Sequence, residues 1–84
     1  MILEVVNAKY ISDYKIYVRF NNHAEMILNL EPHLDGEIYQ PLKDINYFKK
    51  FKIDLNTISW ENGADFAPEF LMQIGELVEF EQIV

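Results

Sequence analysis

The chain contains no cysteine. That excludes a disulfide framework, a thiolate zinc site and a cysteine nucleophile together. Its three glycines, Gly36, Gly63 and Gly75, are scattered, so no glycine-rich phosphate loop can form. Serine occurs only as Ser12 and Ser59, and neither sits in a nucleophile motif. No apolar run approaches the length of a bilayer span. Met1-Ile2-Leu3-Glu4 lacks the basic stretch ahead of an apolar run that marks a secretory signal. The expected address is the cytoplasm, with no membrane association. The last absence is of positive charge: no Lys or Arg follows Lys52.

That absence places the whole net charge of −7. Over residues 1–52 seven acids are balanced by all seven Lys and Arg. Residues 53–84 add Asp54, Glu61, Asp65, Glu69, Glu76, Glu79 and Glu81 with no cation to offset them. A phosphate backbone is repelled by such a half, so autonomous nucleic-acid binding is not expected. A basic protein partner is attracted to it. Acidity that serves only to keep the chain in solution accounts for the same balance.

Eighty-four residues make one domain with one modest core, spanning 1–84. Half of them are hydrophobic and twelve are Phe, Tyr or Trp. That is enough apolar material to fold without a staple, and too much for a disordered chain. Ile16, Val18 and Phe20 alternate with Lys15, Tyr17 and Arg19, and Met26, Leu28 and Leu30 alternate with Glu25, Ile27 and Asn29. Period-two patterning on both sides of Asn21-Asn22-His23 predicts a β-hairpin over 14–30, the asparagines supplying the positive φ of the turn. Leu3–Ile11 reads as a strand before it, turning at Ser12-Asp13. Pro32 and Asp35-Gly36 break the pattern, and a short strand or extended segment is expected around Glu37–Gln40.

Asp44 is placed to cap a short helix that turns Ile45, Phe48 and Phe51 inward, with Lys49 and Lys50 near its C-terminus. A second hairpin is expected from Lys52 to Trp60 with its turn near Asn56, Ile53 and Leu55 alternating on one arm and Ile58 and Trp60 on the other. Ala67-Pro68-Glu69 starts a helix that carries Phe70, Leu71, Ile74, Leu77 and Val78 at helical spacing until Gly75 weakens it. The segment 76–84 reads equally as helix or strand. The predicted class is α+β: an antiparallel sheet, with a three-stranded N-terminal meander plus a second hairpin, and one or two short helices.

Within this pattern the stretch Trp60-Glu61-Asn62-Gly63-Ala64-Asp65-Phe66-Ala67-Pro68-Glu69-Phe70-Leu71 is distinctive. Together with the Asp13-Tyr14 turn and Leu30, Leu42, Phe48 and Asp54, it resembles the small bacterial "domain of unknown function 2442" family over residues 3–72. The specific signature is Trp60, Asn62, Gly63, Asp65, Pro68, Glu69 and Leu71. The family has a glycine in the first hairpin turn where this chain has Asn22 or His23, and the tail beyond Met72 lies outside its usual core. The resemblance implies a compact α+β domain without an established activity. Its relatives stand alone or beside a DNA-binding helix-turn-helix, and are often encoded next to another small protein in a toxin–antitoxin-like arrangement.

For chemistry the residues offer little. His33 lies among Glu31, Asp35 and Glu37, residue types that can ligate a metal, but a turn rich in acids is ordinarily just solvated. His23 sits in a hairpin turn. Asp65 and Glu69 could act as paired carboxylates, yet as N-cap and first-turn acid of a helix they need no such role. Trp60 is expected in the core. No catalytic residue, metal or cofactor is therefore assigned.

The tail 75–84 combines Leu77, Val78, Phe80, Ile83 and Val84 with Glu76, Glu79 and Glu81. It either completes the domain's own core or docks on a second protomer or a partner. The candidate partner-binding residues are Glu76, Leu77, Glu79, Phe80, Glu81 and Ile83. The expected function is a protein-interaction module for a basic partner or a homo-oligomer. The alternative is a non-catalytic small-molecule or metal sensor that uses the 31–37 loop and the 61–65 turn.

Overall fold

The computed structural model describes residues 2–78 of the chain. Its first elements follow the period-two patterning: β1 is Val5–Ser12, β2 is Lys15–Phe20 and β3 is Glu25–Asn29. Ile16, Val18 and Phe20, with Met26, Leu28 and Leu30, are all buried, whereas Lys15, Arg19 and Asn29 are exposed. One face of the meander therefore carries the core, as alternation on an antiparallel sheet requires. The two hairpin arms pair from Lys15 against Asn29 to Arg19 against Glu25.

The hairpin turn differs from the expectation in one respect. His23, not an asparagine, takes the positive φ, at 75°. Both asparagine side chains are engaged in bonding instead. Asn22 Oδ1 accepts from the Ala24 N–H at 3.0 Å. Asn21 Oδ1 accepts from the Glu4 N–H at 3.1 Å, while its Nδ2 donates to the Ile2 carbonyl at 2.8 Å. Asn21 thus ties the start of the chain to this turn.

The region expected to be strand or extended around Glu37–Gln40 is a 3₁₀ segment, Glu37–Lys43. It holds its shape through side-chain bonds to the preceding loop. Gln40 Nε2 donates to the carbonyls of Leu34, Asp35 and Gly36 at 3.0–3.1 Å, and Leu42 is fully buried. A shorter 3₁₀ turn, Glu31–His33, precedes it. Helix α1, Ile45–Phe48, begins as expected on Asp44, whose side chain accepts from the Asn46 N–H at 3.0 Å. Only Phe48 of its inward set is fully buried; Ile45 and Phe51 are half-buried.

Strands β4 (Lys52–Asp54) and β5 (Thr57–Ser59) form the second hairpin. Its two turn residues, Leu55 and Asn56, both have positive φ, 52° and 74°, the signature of a type I′ turn. The alternation in the first arm is not a burial pattern. Ile53 is 41% and Leu55 85% exposed, because no layer backs that side of a two-stranded ribbon. Ile58 and Trp60, on the second arm, are buried.

Helix α2, Pro68–Ile74, has Pro68 at its first positions and Ala67 as N-cap. Asp65 is therefore not the cap; its main chain bridges to Ser59. Gly75 ends the helix in an extended conformation, φ −75° and ψ 157°. Its close approach to β3 explains why glycine sits there, since a Cβ would fall 2.8 Å from Met26 Sδ. The chain then forms β6, Glu76–Leu77, antiparallel to β3. Among the described residues the main sheet thus has four strands in the order β1-β2-β3-β6, with β4-β5 as a separate pair. The fold is α+β, as the patterning predicts.

Candidate functional site

The signature segment acts as a staple between elements. The Trp60 N–H donates to the Ala64 carbonyl at 2.9 Å, and the Gly63 N–H donates to the Trp60 carbonyl at 2.9 Å. Gly63 has φ +93°, which a side chain adopts only under strain. Asn62 closes the same turn, its Oδ1 accepting from the Ala64 N–H at 3.1 Å. It also reaches outward, Nδ2 donating to the Ile38 carbonyl at 2.9 Å. The Asn62 N–H in turn donates to the Tyr47 hydroxyl at 3.0 Å. Trp60 is 2% exposed, and its Nε1 donates to the Phe48 carbonyl at 2.9 Å. Leu71 is fully buried and Glu69 lies in the first turn of α2. These signature residues thus hold the 3₁₀ segment, α1 and α2 around one turn.

The stapling leaves a groove of about 490 Å³, open to solvent, between the 31–39 segment and the start of α2. Its floor is aromatic. Tyr39 stacks on Phe66 with ring centroids 4.7 Å apart and planes within 8°. Phe66 stacks on Phe70 at 5.8 Å and 14°, and the edge of His33 meets Phe70 at 5.1 Å and 90°. The Tyr39 hydroxyl donates to the Asp65 carbonyl at 3.0 Å, which fixes the ring. Burial, and secondarily the Asp65 charge, raise the Tyr39 pKa above its ordinary value. On the other side of the stack, the Thr57 hydroxyl donates to the Phe66 carbonyl at 2.5 Å.

Two carboxylates rim this floor, Asp35 and Asp65. The hydrogen bonds that position both residues run through their main-chain carbonyls, and both residues are exposed. The groove therefore unites the 31–37 loop with the end of the 61–65 turn, two segments that sequence reading considered together. Sequence reading missed Tyr39, Phe66 and Phe70 as one surface. Phe70 falls at helical spacing with Leu71 and Ile74, and Tyr39 and Phe66 carry no local signal for their stacking.

His33 serves as an aromatic edge. Among the described residues no group of three or more His, Cys, Asp or Glu is placed to hold a metal. Ser59 Oγ is buried without a hydrogen-bond partner among the described residues, so it has no base bonded to it of the kind that activates a serine. Of the tail candidates, Glu76 and Leu77 form β6, both exposed, with Leu77 at 65%. Glu79, Phe80, Glu81 and Ile83 lie outside the described residues. Among the described residues no helix is long and apolar enough to cross a membrane.

The family model described as "Protein of unknown function (DUF2442)" matches residues 5–75. Neither the search of curated proteins nor that of solved structures returned a match.

Proposed function

Because this chain belongs to the DUF2442 family, whose description names no activity, we propose from its own residues that it is a protein-interaction module for a basic partner. One observation carries the reading. Asp65, one of the acids of the cation-free half, residues 53–84, lines an open aromatic groove together with Asp35, and both residues are exposed. Unpaired negative charge steers a basic protein, and aromatic surface supplies contact area once it arrives. The partner is a small basic protein, and the two form a toxin–antitoxin-like or regulatory pair of the kind the family resemblance implies. No catalytic step is assigned. We place the protein in the cytoplasm.

The test is affinity capture from the source organism, followed by titration of the purified partner against the purified protein. The expected result is a basic protein bound near one to one, with affinity that falls as salt rises. Recovery of the protein with itself alone, or binding indifferent to salt, refutes the basic-partner reading. A second reading, a small-molecule sensor, is favoured by one observation: the groove joins the 31–37 loop and the 61–65 turn at a volume within the range of ligand sites. A saturable thermal shift with a metabolite would support it.

A further inference from the structure

We propose that the groove receives an arginine side chain of the basic partner, its guanidinium lying against the half-buried Tyr39 and Phe70 rings and pairing with Asp35 and Asp65. This rests on the interaction-module reading and names the surface and chemistry that carry it.

The occupant follows from what lines the groove. Asp35 and Asp65, both exposed, are among its lining residues, and no Lys or Arg is. An anionic ligand would meet like charge. A purely apolar one would strip water from the carboxylates without repayment. A cation satisfies both the carboxylates and the ring surface that Tyr39 and Phe70 leave half-exposed.

Guanidinium fits better than ammonium because it is planar, stacks on aromatic faces and offers paired donors to a carboxylate. Tyr39 and Phe70, both half-buried, flank the buried Phe66 in a stack whose planes lie within 8° and 14° of it. The floor is also preorganised. The Tyr39 hydroxyl and the Phe66 carbonyl are already bonded within the protein, so little ordering remains to be done on binding. Openness argues for a side chain on a protein over a free small molecule. Small-molecule sites enclose most of their ligand, whereas an anchor residue in an open groove is shielded by the contact around it.

The experiment is an NMR titration of the isotope-labelled protein, at low salt, with a blocked peptide carrying one arginine between glycines. Matched peptides carry citrulline or lysine, and free arginine is a separate arm. The expected result is perturbation centred on Tyr39, Asp65, Phe66 and Phe70, with about tenfold weaker binding of the citrulline peptide. Asp35→Asn and Asp65→Asn, both exposed, should each weaken the arginine peptide about threefold. Glu25→Gln lies on the opposite face of the sheet and keeps an acceptor for Tyr17, so it should change nothing.

Equal affinity for citrulline, perturbation centred on the outer sheet face, or an equal loss in Glu25→Gln would overturn the assignment. So would free arginine binding as tightly as the peptide, which would make the occupant a small molecule. The two proposals fail separately. A partner that binds one to one with salt dependence, yet is indifferent to Asp35→Asn and Asp65→Asn, removes the groove and leaves the module. Loss of any basic partner removes the module, while the peptide titration still reads the groove.

Discussion

Replacing Thr57 by Val tests the bond that supports the floor of the groove. Thr57 is 5% exposed and donates its hydroxyl to the Phe66 carbonyl. Valine has nearly the same shape, so no large cavity opens; the hydroxyl alone is lost. The buried carbonyl is then left without its donor, which costs about 1–3 kcal/mol. The extra methyl returns at most about 0.8 kcal/mol. The net loss is about 0.2–2 kcal/mol and centred near 1, which in a domain of this size lowers Tm by about 4–8 °C. In urea the midpoint should fall by about 1 M, with the slope unchanged. Trp60, packed among Phe48, Phe51 and Phe66, is the natural fluorescence reporter. A Thr57→Val protein that melts at or above the parent midpoint would refute the reasoning, since the carbonyl would then have cost nothing to leave unpaired.

Trp60→Phe removes the donor to the Phe48 carbonyl and leaves a void where the second ring was. We expect about 2–4 kcal/mol of lost stability by circular dichroism in denaturant; a loss under about 1 kcal/mol would show that the site collapses around the smaller ring. Gly75→Ala should destabilise by about 1–2 kcal/mol although φ is permissive, because the new Cβ meets Met26 Sδ at 2.8 Å and Met26 Cβ at 3.0 Å; a stabilised variant, measured the same way, would show that β3 yields freely. Alkaline pH should weaken the fold. Tyr17 is raised above 10.0 by its hydrogen bond to Glu25, then by burial and the Glu25 charge, and Tyr39 is raised above 10.0 by burial and Asp65. A raised folded-state value favours the protonated native form. The stability it contributes is complete below 10.0 and is lost as pH rises through the folded-state values. Tyrosinate absorbance should therefore titrate later in the folded than in the unfolded protein, and coincident titrations would remove the effect.

Local rules made much of the fold readable. Alternation located β2 and β3, a carboxylate ahead of an apolar turn located α1, and Pro68 marked the start of α2. Each of these signals acts within a few residues. The misreadings arose where distant contacts overrule them. Glu37–Lys43 winds into a 3₁₀ segment because Gln40 ties it to the preceding carbonyls and Tyr39 stacks on Phe66. Ile53 and Leu55 alternate without burying anything, since nothing backs their arm of the ribbon. Asp65 looks like a cap, yet its main chain is committed to Ser59 and Ala67 takes the cap position. The groove was half legible: its carboxylates drew notice as a charge pattern, but the stacking of Tyr39, Phe66 and Phe70 depends on the turn that signature residues build.

The fourth strand has a kinetic consequence. Among the described residues β6 contributes Glu76 and Leu77 to the ladder with β3, extended by the Val78 N–H donating to the Glu25 carbonyl at 2.9 Å. Those few bonds close a loop that includes every element between β3 and β6, so the chain entropy of closure is large relative to what the ladder returns. We therefore expect this strand to dock last in folding and to open first, by local release rather than global unfolding. Amide exchange at Val78 should then outpace that of β2 by orders of magnitude, and equal protection would show the sheet to be one cooperative unit. Each opening bares the hydrogen-bonding edge of β3, so the sheet alternates between a sealed border and one able to accept another strand.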